Sequence, residues 1–226
     1  MRYVAAVITN YTKRVEKLFE GARPKRYPKN QLIHYAGDPL SHIYMISQGY
    51  VKAYTILDSG DTRTILILGP GDIFPLAFST SLNWENYQIR YFYQTLCEAD
   101  VLCLPADDLR QQVENDKDSM LTYMTYIAAS NEAIMNQLEV MKNKKAIDKV
   151  GLLLPYLISK AGKLVKPDVY ELQIKLSHQE IADLSGVTRE TTTTLIKELE
   201  KEGIINQHKG KWLINTKNLE HAPATR

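Results

Sequence analysis

The sequence predicts an α+β protein in three parts: a β-roll, one long helix, and a helical C-terminal part closed by a hairpin. Three observations carry this. Residues 31–104 are short strand-like runs separated by turn residues. From Met120 the apolar positions fall in steps of four and three, the period of a helical seam. Beyond residue 142 the pattern stays helical, until "GIINQHKGKWLIN" reads as two strands around a turn.

The strand candidates, in order, are "QLIHY", "HIYMIS", "YVKAYTIL", "TRTILIL", "YQIRYFYQTL" and "DVLCLP". They are rich in Ile, Val, Leu and Tyr, and "AGDP", "SQG", "DSGD" and "GPGD" punctuate them. Strands this short and this evenly spaced suggest a closed sandwich or roll, assigned to residues 1–116.

The long helix is assigned to residues 117–142. Its seam is Met120, Met124, Ile127, Asn131, Ile134, Leu138 and Met141. Asn131 sits at a position equivalent to the a of a heptad, where a lone Asn fixes register and a two-stranded state at some cost in stability. The preferred reading is a parallel homodimer. A helix packed on its own domain, with Asn131 bonded locally, is the other reading of the same spacing.

"KNKK" (142–145) then breaks the seam with charge and makes a hinge candidate. "AIDKVGLLLPYLISKAG" follows, a helical pattern expected to be interrupted at Pro155, because a proline inside a helix removes a hydrogen bond. "YELQIKL" (170–176) reads as a strand.

The segment "LSHQEIADLSGVTRETTTTLIKELEKEGII" is the most informative. Ser177 followed by Glu180 is a capping box, so a helix should start near His178 and bury Ile181 and Leu184. Gly186 permits a sharp turn, and Val187 plugs it. Thr188 can cap a second helix whose first turn holds Arg189 and Glu190. By spacing and capping this is a helix-turn-helix, which places the N-terminus of its second helix in the DNA major groove. The hairpin after it would be a wing.

Composition narrows the function classes. Of 226 residues, 44% are apolar and 24% charged, ordinary for a soluble globular protein. No apolar run reaches the roughly 18 residues of a membrane span, and the apolar stretch near the N-terminus is too short for a secretory core. A cytoplasmic protein without membrane partners is expected. Cys97 and Cys103 are the only cysteines, so no disulfide framework and no one-chain iron–sulfur cluster is implied. Residues 1–142 hold 14 Lys and Arg against 16 Asp and Glu, whereas 143–226 hold 14 against 10. A mildly basic back suits a part that meets a polyanion. The five histidines stand at 34, 42, 178, 208 and 221, without the clustering a metal-dependent enzyme on a roll would need.

These motifs resemble the CRP/FNR superfamily, regulators of the cyclic-AMP receptor protein and fumarate–nitrate regulator type. "GDPLSHIYMISQGYVKAY" and "LILGPGDIF" are similar to its cyclic-nucleotide-binding-like jelly roll. Met120–Met141 resembles its dimerisation helix, and 177–214 its winged helix-turn-helix, with residues 143–226 as the DNA-binding domain. The Arg-Glu-Thr opening and "KELEKEGII" are the specific parts. The resemblance implies a DNA-binding transcription regulator and not an enzyme. Its implied partners are double-stranded DNA, a second copy of the chain and RNA polymerase.

The recognition helix would span 188–201. Arg189, Glu190, Thr193 and Thr194 are the expected base readers. Arginine pairs with guanine, a carboxylate accepts from cytosine, and a threonine methyl packs on a thymine methyl. Ser177, His178, Thr188, Lys197, Lys209 and Lys211 are expected at the DNA backbone, where contacts give affinity but no sequence choice. Thr192 falls where relatives bury Val or Ile, so it is expected in the core with its hydroxyl bonded back to the helix. At Thr194 many relatives carry a second base-reading Arg. Threonine cannot reach as far, so the family's usual half-sites are not expected.

The sensor part lacks the family's ligand signatures. After Gly71-Asp72-Ile73 comes Phe74-Pro75-Leu76, where cyclic-AMP receptors have Gly-Glu-Leu. Arg90 is displaced by about one position from the phosphate-binding arginine, which on a strand turns it to the other face. Ile134 and Met135 stand near the place of the Thr-Ser that meets adenine. Cyclic AMP is therefore not the expected effector, and no cofactor is predicted. His34 and His42 are the only haem-ligand candidates in the roll, and ordinary strand histidines are commoner. Phe74, Phe78, Arg90 and Phe92 outline a candidate effector pocket, within a region that also holds Trp84, Tyr87, Tyr91 and Tyr93. Those aromatics either line a site for a flat apolar effector or fill the cavity themselves.

Overall fold

The structure is a computed structural model describing residues 14–75, 87–142, 144–208 and 210–219. Contacts divide the chain into two compact units. One holds the residues up to Ala53 with Ile67–Glu132, and the other holds Tyr54–Leu66 with the residues from Ala133 onward.

The N-terminal roll is built from eight strands: β1 (Arg23–Tyr27), β2 (Leu32–His34), β3 (His42–Gln48), β4 (Val51–Ile56), β5 (Thr62–Leu68), β6 (Ile73–Phe74), β7 (Phe92–Thr95) and β8 (Ala99–Pro105). They form two four-stranded sheets, ordered β1-β8-β3-β6 and β2-β7-β4-β5. Alternation along β7 and β8 puts Tyr93, Val101 and Cys103 inside, whereas β3 is buried continuously from Ile43 to Ile46. β1 was not expected from the sequence. It reads RPKRY, lies at a sheet edge and is mostly exposed, so it carries no apolar alternation and tolerates Pro24. The run "YQIRYFYQTL" yields only the four residues of β7 and one isolated bridge at Gln88.

Two helices follow, α1 (Ala106–Asn115) and α2 (Lys117–Lys142). α2 is the expected long helix. Its Tyr123 and Tyr126 are buried, and they share one face at i and i+3. The Tyr126 hydroxyl donates to the Ile73 carbonyl and accepts from the Ile73 amide, both at 2.8 Å. One phenol thus satisfies both backbone groups of a β6 residue and pins the helix to the roll.

The second unit contains α3 (Ala146–Ala161), β9 (Gly162–Lys166), β10 (Val169–Leu172), α4 (His178–Ser185), α5 (Arg189–Lys201), β11 (Ile205–His208), β12 (Lys211–Asn215) and α6 (Thr216–Leu219). Its sheet order is β11-β12-β10-β9. Pro155 does not interrupt α3, contrary to expectation. Val150, Leu153, Leu154, Tyr156 and Leu157 are all buried along it, and this apolar stripe holds the helix through the proline. The strand expected at 170–176 is shorter and pairs with β9, which the sequence did not suggest. β9 reads GKLVK with Leu164 and Val165 exposed, an edge strand without a buried face.

Candidate nucleic-acid interface

The helix-turn-helix forms as its capping signals dictate. Ser177 caps α4: its Oγ accepts from the Glu180 amide at 3.2 Å, and the Glu180 carboxylate accepts from the Ser177 amide at 2.6 Å. α4 ends at Gly186 with φ 69°, a left-handed residue that turns the chain without the Cβ penalty. Thr188 then caps α5, its Oγ accepting from the Thr191 amide at 3.2 Å. Ile181, Leu184, Leu195, Ile196 and Leu199 are buried around this turn, so the two helices pack as one body.

The recognition face is polar and open. Arg189, Glu190, Thr194 and Lys197 are exposed, and Thr193 is half-buried. Positions 189, 193 and 197, and positions 190 and 194, follow one another by one helical turn. The structure therefore brings the four expected base readers onto the first two turns of α5.

The threonines behave differently from one another. Thr192 is fully buried, as expected, but its hydroxyl is not bonded back to the helix and has no partner among the described residues. Bonds of that kind occur instead at the next two positions. Thr193 donates to the Arg189 carbonyl at 2.9 Å, and Thr194 to the Glu190 carbonyl at 3.2 Å. A solvated face leaves room for that rotamer, whereas packing at 192 selects the orientation that best fills the core.

Of the expected backbone-contacting groups, Lys197 is exposed and Lys209 lies outside the described residues. The hydroxyls of Ser177 and Thr188 serve their caps. His178 places Nδ1 at 3.0 Å from Thr193 Oγ1. Lys211 pairs with Glu171 at 2.8 Å, and this bond holds the Glu171 carboxyl below its usual range. A phosphate at Lys211 would compete with that carboxylate.

One cluster escaped the sequence reading. The β4–β5 hairpin tip belongs to the same compact unit as the helix-turn-helix. Thr62 donates to Asp183 at 2.8 Å, and Gln179 donates to the other carboxylate oxygen at 2.7 Å. A cleft of about 510 Å³ lies there, lined by Asp61, Arg63, Gly186 and Arg189 among others. Nothing local signals it, because Thr62 and Asp183 are 121 residues apart.

Among the described residues, the candidate effector side chains are not gathered into one pocket. Phe74 is fully buried, stacked between Tyr44 and Tyr93 with centroids 5.2 Å from each. Phe92 faces the opposite way and packs edge-on to Tyr35, because neighbours on a strand alternate sides. Arg90 is exposed, and Phe78 and Trp84 lie outside the described residues. His34 closes the aromatic cluster, edge-on to Tyr44, Phe74 and Tyr93. Burial lowers its pKa to about 4. Cys103 is buried, and Cys97 is half-buried in the turn between β7 and β8. Burial pushes the Cys97 thiol up, which leaves less of the reactive thiolate.

A capped helix-turn-helix with an open polar recognition face, followed by a β-hairpin wing, defines the class: a DNA-binding regulator. The comparisons make this specific. The cyclic nucleotide-binding domain family matches residues 24–116, and the Crp-like helix-turn-helix domain family matches residues 152–221. The chain belongs to the CRP/FNR superfamily of transcription regulators.

Among similar proteins is the HTH-type transcriptional regulator ArcR of Staphylococcus haemolyticus, 24% identical over 190 residues, 84% of this chain and 81% of that one. The global nitrogen regulator of a Nostoc species is 23% identical over 202 residues, 88% of this chain and 85% of its own. FixK2 from Bradyrhizobium japonicum shares the fold with a TM-score of 0.75 at 19% identity, over 88% of this chain and 96% of that one. The CRP-family regulator TTHB099 from Thermus thermophilus shares it at 0.71 and 20% identity, over 89% and 96%. Membership of this family accords with a binding function rather than an enzymatic one. Among the described residues no helix is long and apolar enough to cross a membrane.

Proposed function

We propose that this chain is a homodimeric, sequence-specific regulator that binds a pseudo-palindromic operator with one recognition helix in each half-site. The observation that carries the reading is the exposed Arg189-Glu190 pair at the start of α5, directly after the left-handed turn at Gly186. In a helix-turn-helix that end of the second helix meets base edges. Arg189 would read a guanine, a contact that discriminates by roughly 1–3 kcal/mol. Dimerisation is supported by α2, where Met120, Met124 and Leu138 are exposed in line with Asn131. A signal at the roll would act through the break between α2 and α3. RNA polymerase is the further protein partner of this reading.

Selection of bound sequences from random duplex DNA tests the proposal. Wild type should enrich a site with two related half-sites about one helical turn apart. Arg189→Ala should lose that enrichment while still sedimenting as a dimer; unchanged specific affinity would remove Arg189 from base readout. Recovery of a second guanine opposite Thr194 would contradict the shortened reach of that position.

The effector in this reading is unknown and is not cyclic AMP. Tyr44, Phe74, Tyr93 and His34 occupy the space between the strands themselves. The same packing favours a second reading, a regulator controlled by its abundance. Operator affinity measured with and without cell-extract metabolites separates the two.

A further inference from the structure

We infer that His178 is a positioning residue for base readout: it locks the Thr193 hydroxyl, so that Thr193 meets the DNA with its methyl alone. This deepens the groove reading of α5 and rests on it.

The geometry leaves little freedom. Thr193 Oγ1 lies 2.9 Å from the Arg189 carbonyl oxygen and 3.0 Å from His178 Nδ1. A carbonyl can only accept, so the hydroxyl proton goes to Arg189. The imidazole must then be the donor, with its proton on Nδ1. Neutral and charged imidazole can both supply that donor. The hydroxyl thus donates once and accepts once within the protein.

A helical threonine ordinarily divides between two rotamers. The second bond from His178 selects the rotamer that keeps Oγ1 against α4. Free threonine hydroxyls hydrogen-bond to any of several bases and so read ambiguously. With its hydroxyl held, Thr193 has only a methyl to offer, and the base that rewards a methyl is thymine. Thr194 shows the contrast: it is exposed, and its hydroxyl makes one longer bond, 3.2 Å, to Glu190. It has no cross-helix lock among the described residues.

The experiment uses the full-length chain and the site it enriches from random duplexes. Each thymine of that site is replaced in turn by deoxyuridine, which removes the 5-methyl and nothing else. Wild type should bind one substituted duplex roughly four-fold more weakly, the worth of one buried methyl-sized group. Thr193→Ser should abolish that penalty, and Thr193→Val should keep it. His178→Ala should bring it close to one-fold. The double variant His178→Ala/Thr193→Val should restore it, because valine is stiff at χ1 and has no hydroxyl to release. That rescue also shows that the histidine variant still folds. A His178 that served only as a phosphate contact would weaken both duplexes equally and leave their ratio unchanged. An undiminished penalty in His178→Ala, or a double variant without rescue, overturns the inference while Arg189 readout stands. Failure to enrich any site overturns both.

Discussion

Thr192 is a polar atom in the wrong place for stability. Its hydroxyl is buried without a partner among the described residues, at a position flanked by Leu195 and Ile196. A buried unsatisfied hydroxyl costs about 1–3 kcal/mol, and valine is nearly the same shape. Thr192→Val should therefore stabilise the chain by about 1 kcal/mol in urea unfolding, with DNA specificity unchanged; a loss of stability would mean that the hydroxyl has a partner after all. His34 makes a second residue-scale prediction. Burial lowers its folded pKa from 6.5 to about 4, against the opposing pull of Asp38. Between these values the unfolded chain binds a proton that the folded chain refuses. Stability is full above about pH 6.5 and falls as the pH drops toward 4, by about 3 kcal/mol in all. His34→Leu should lack that slope, and identical slopes in both proteins would refute the assignment.

At the scale of elements, caps and turns govern. The turn from β3 to β4 passes through Gly49 at φ +89°, where a Cβ would stand 2.7 Å from Ala99 Cα. Gly60, in the turn from β4 to β5, has a similar φ but nothing within 4 Å of a Cβ. Gly60→Ala should cost only the left-handed penalty, about 1–2 kcal/mol. Gly49→Ala adds a backbone clash and should cost roughly 2–4 kcal/mol, read as the difference in urea midpoints. Elements also show where legibility ends. α4, α5 and the wing announce themselves by capping residues, a 3.6-residue period and a glycine turn, all local signals. β1 and β9 do not, because edge strands with no buried face carry no alternation. The continuity of α3 through Pro155 came from burial on its far side, which no window around the proline reveals.

For the whole molecule, the exposed seam of α2 is the feature with most consequence. Met124 is 60% exposed and Leu138 is 49% exposed, on a helix whose Tyr123 and Tyr126 already hold the roll. Charges on the seam should oppose self-association. Met124→Lys/Leu138→Lys should sediment as a monomer at concentrations where wild type is a dimer, and its operator affinity should fall with the loss of the second half-site. A variant that stays dimeric would move the interface elsewhere.

The sequence by itself determined the order of parts, the family, the helix-turn-helix with its caps, and which face of α5 is polar. These depend on periodicity and on contacts within four residues, so they are written along the chain. Only the tertiary structure decided how the hydroxyls are used. Thr192 lost its expected back-bond to core packing, Thr193 gained a partner from a different helix, and Lys211 was tied to Glu171. It also decided that Phe74 fills the roll while Phe92 leaves it, and that Thr62 meets Asp183. The physical reason is range. A hydrogen bond is made or lost within a few tenths of an ångström, and its partner stands 15, 40 or 121 residues away along the chain.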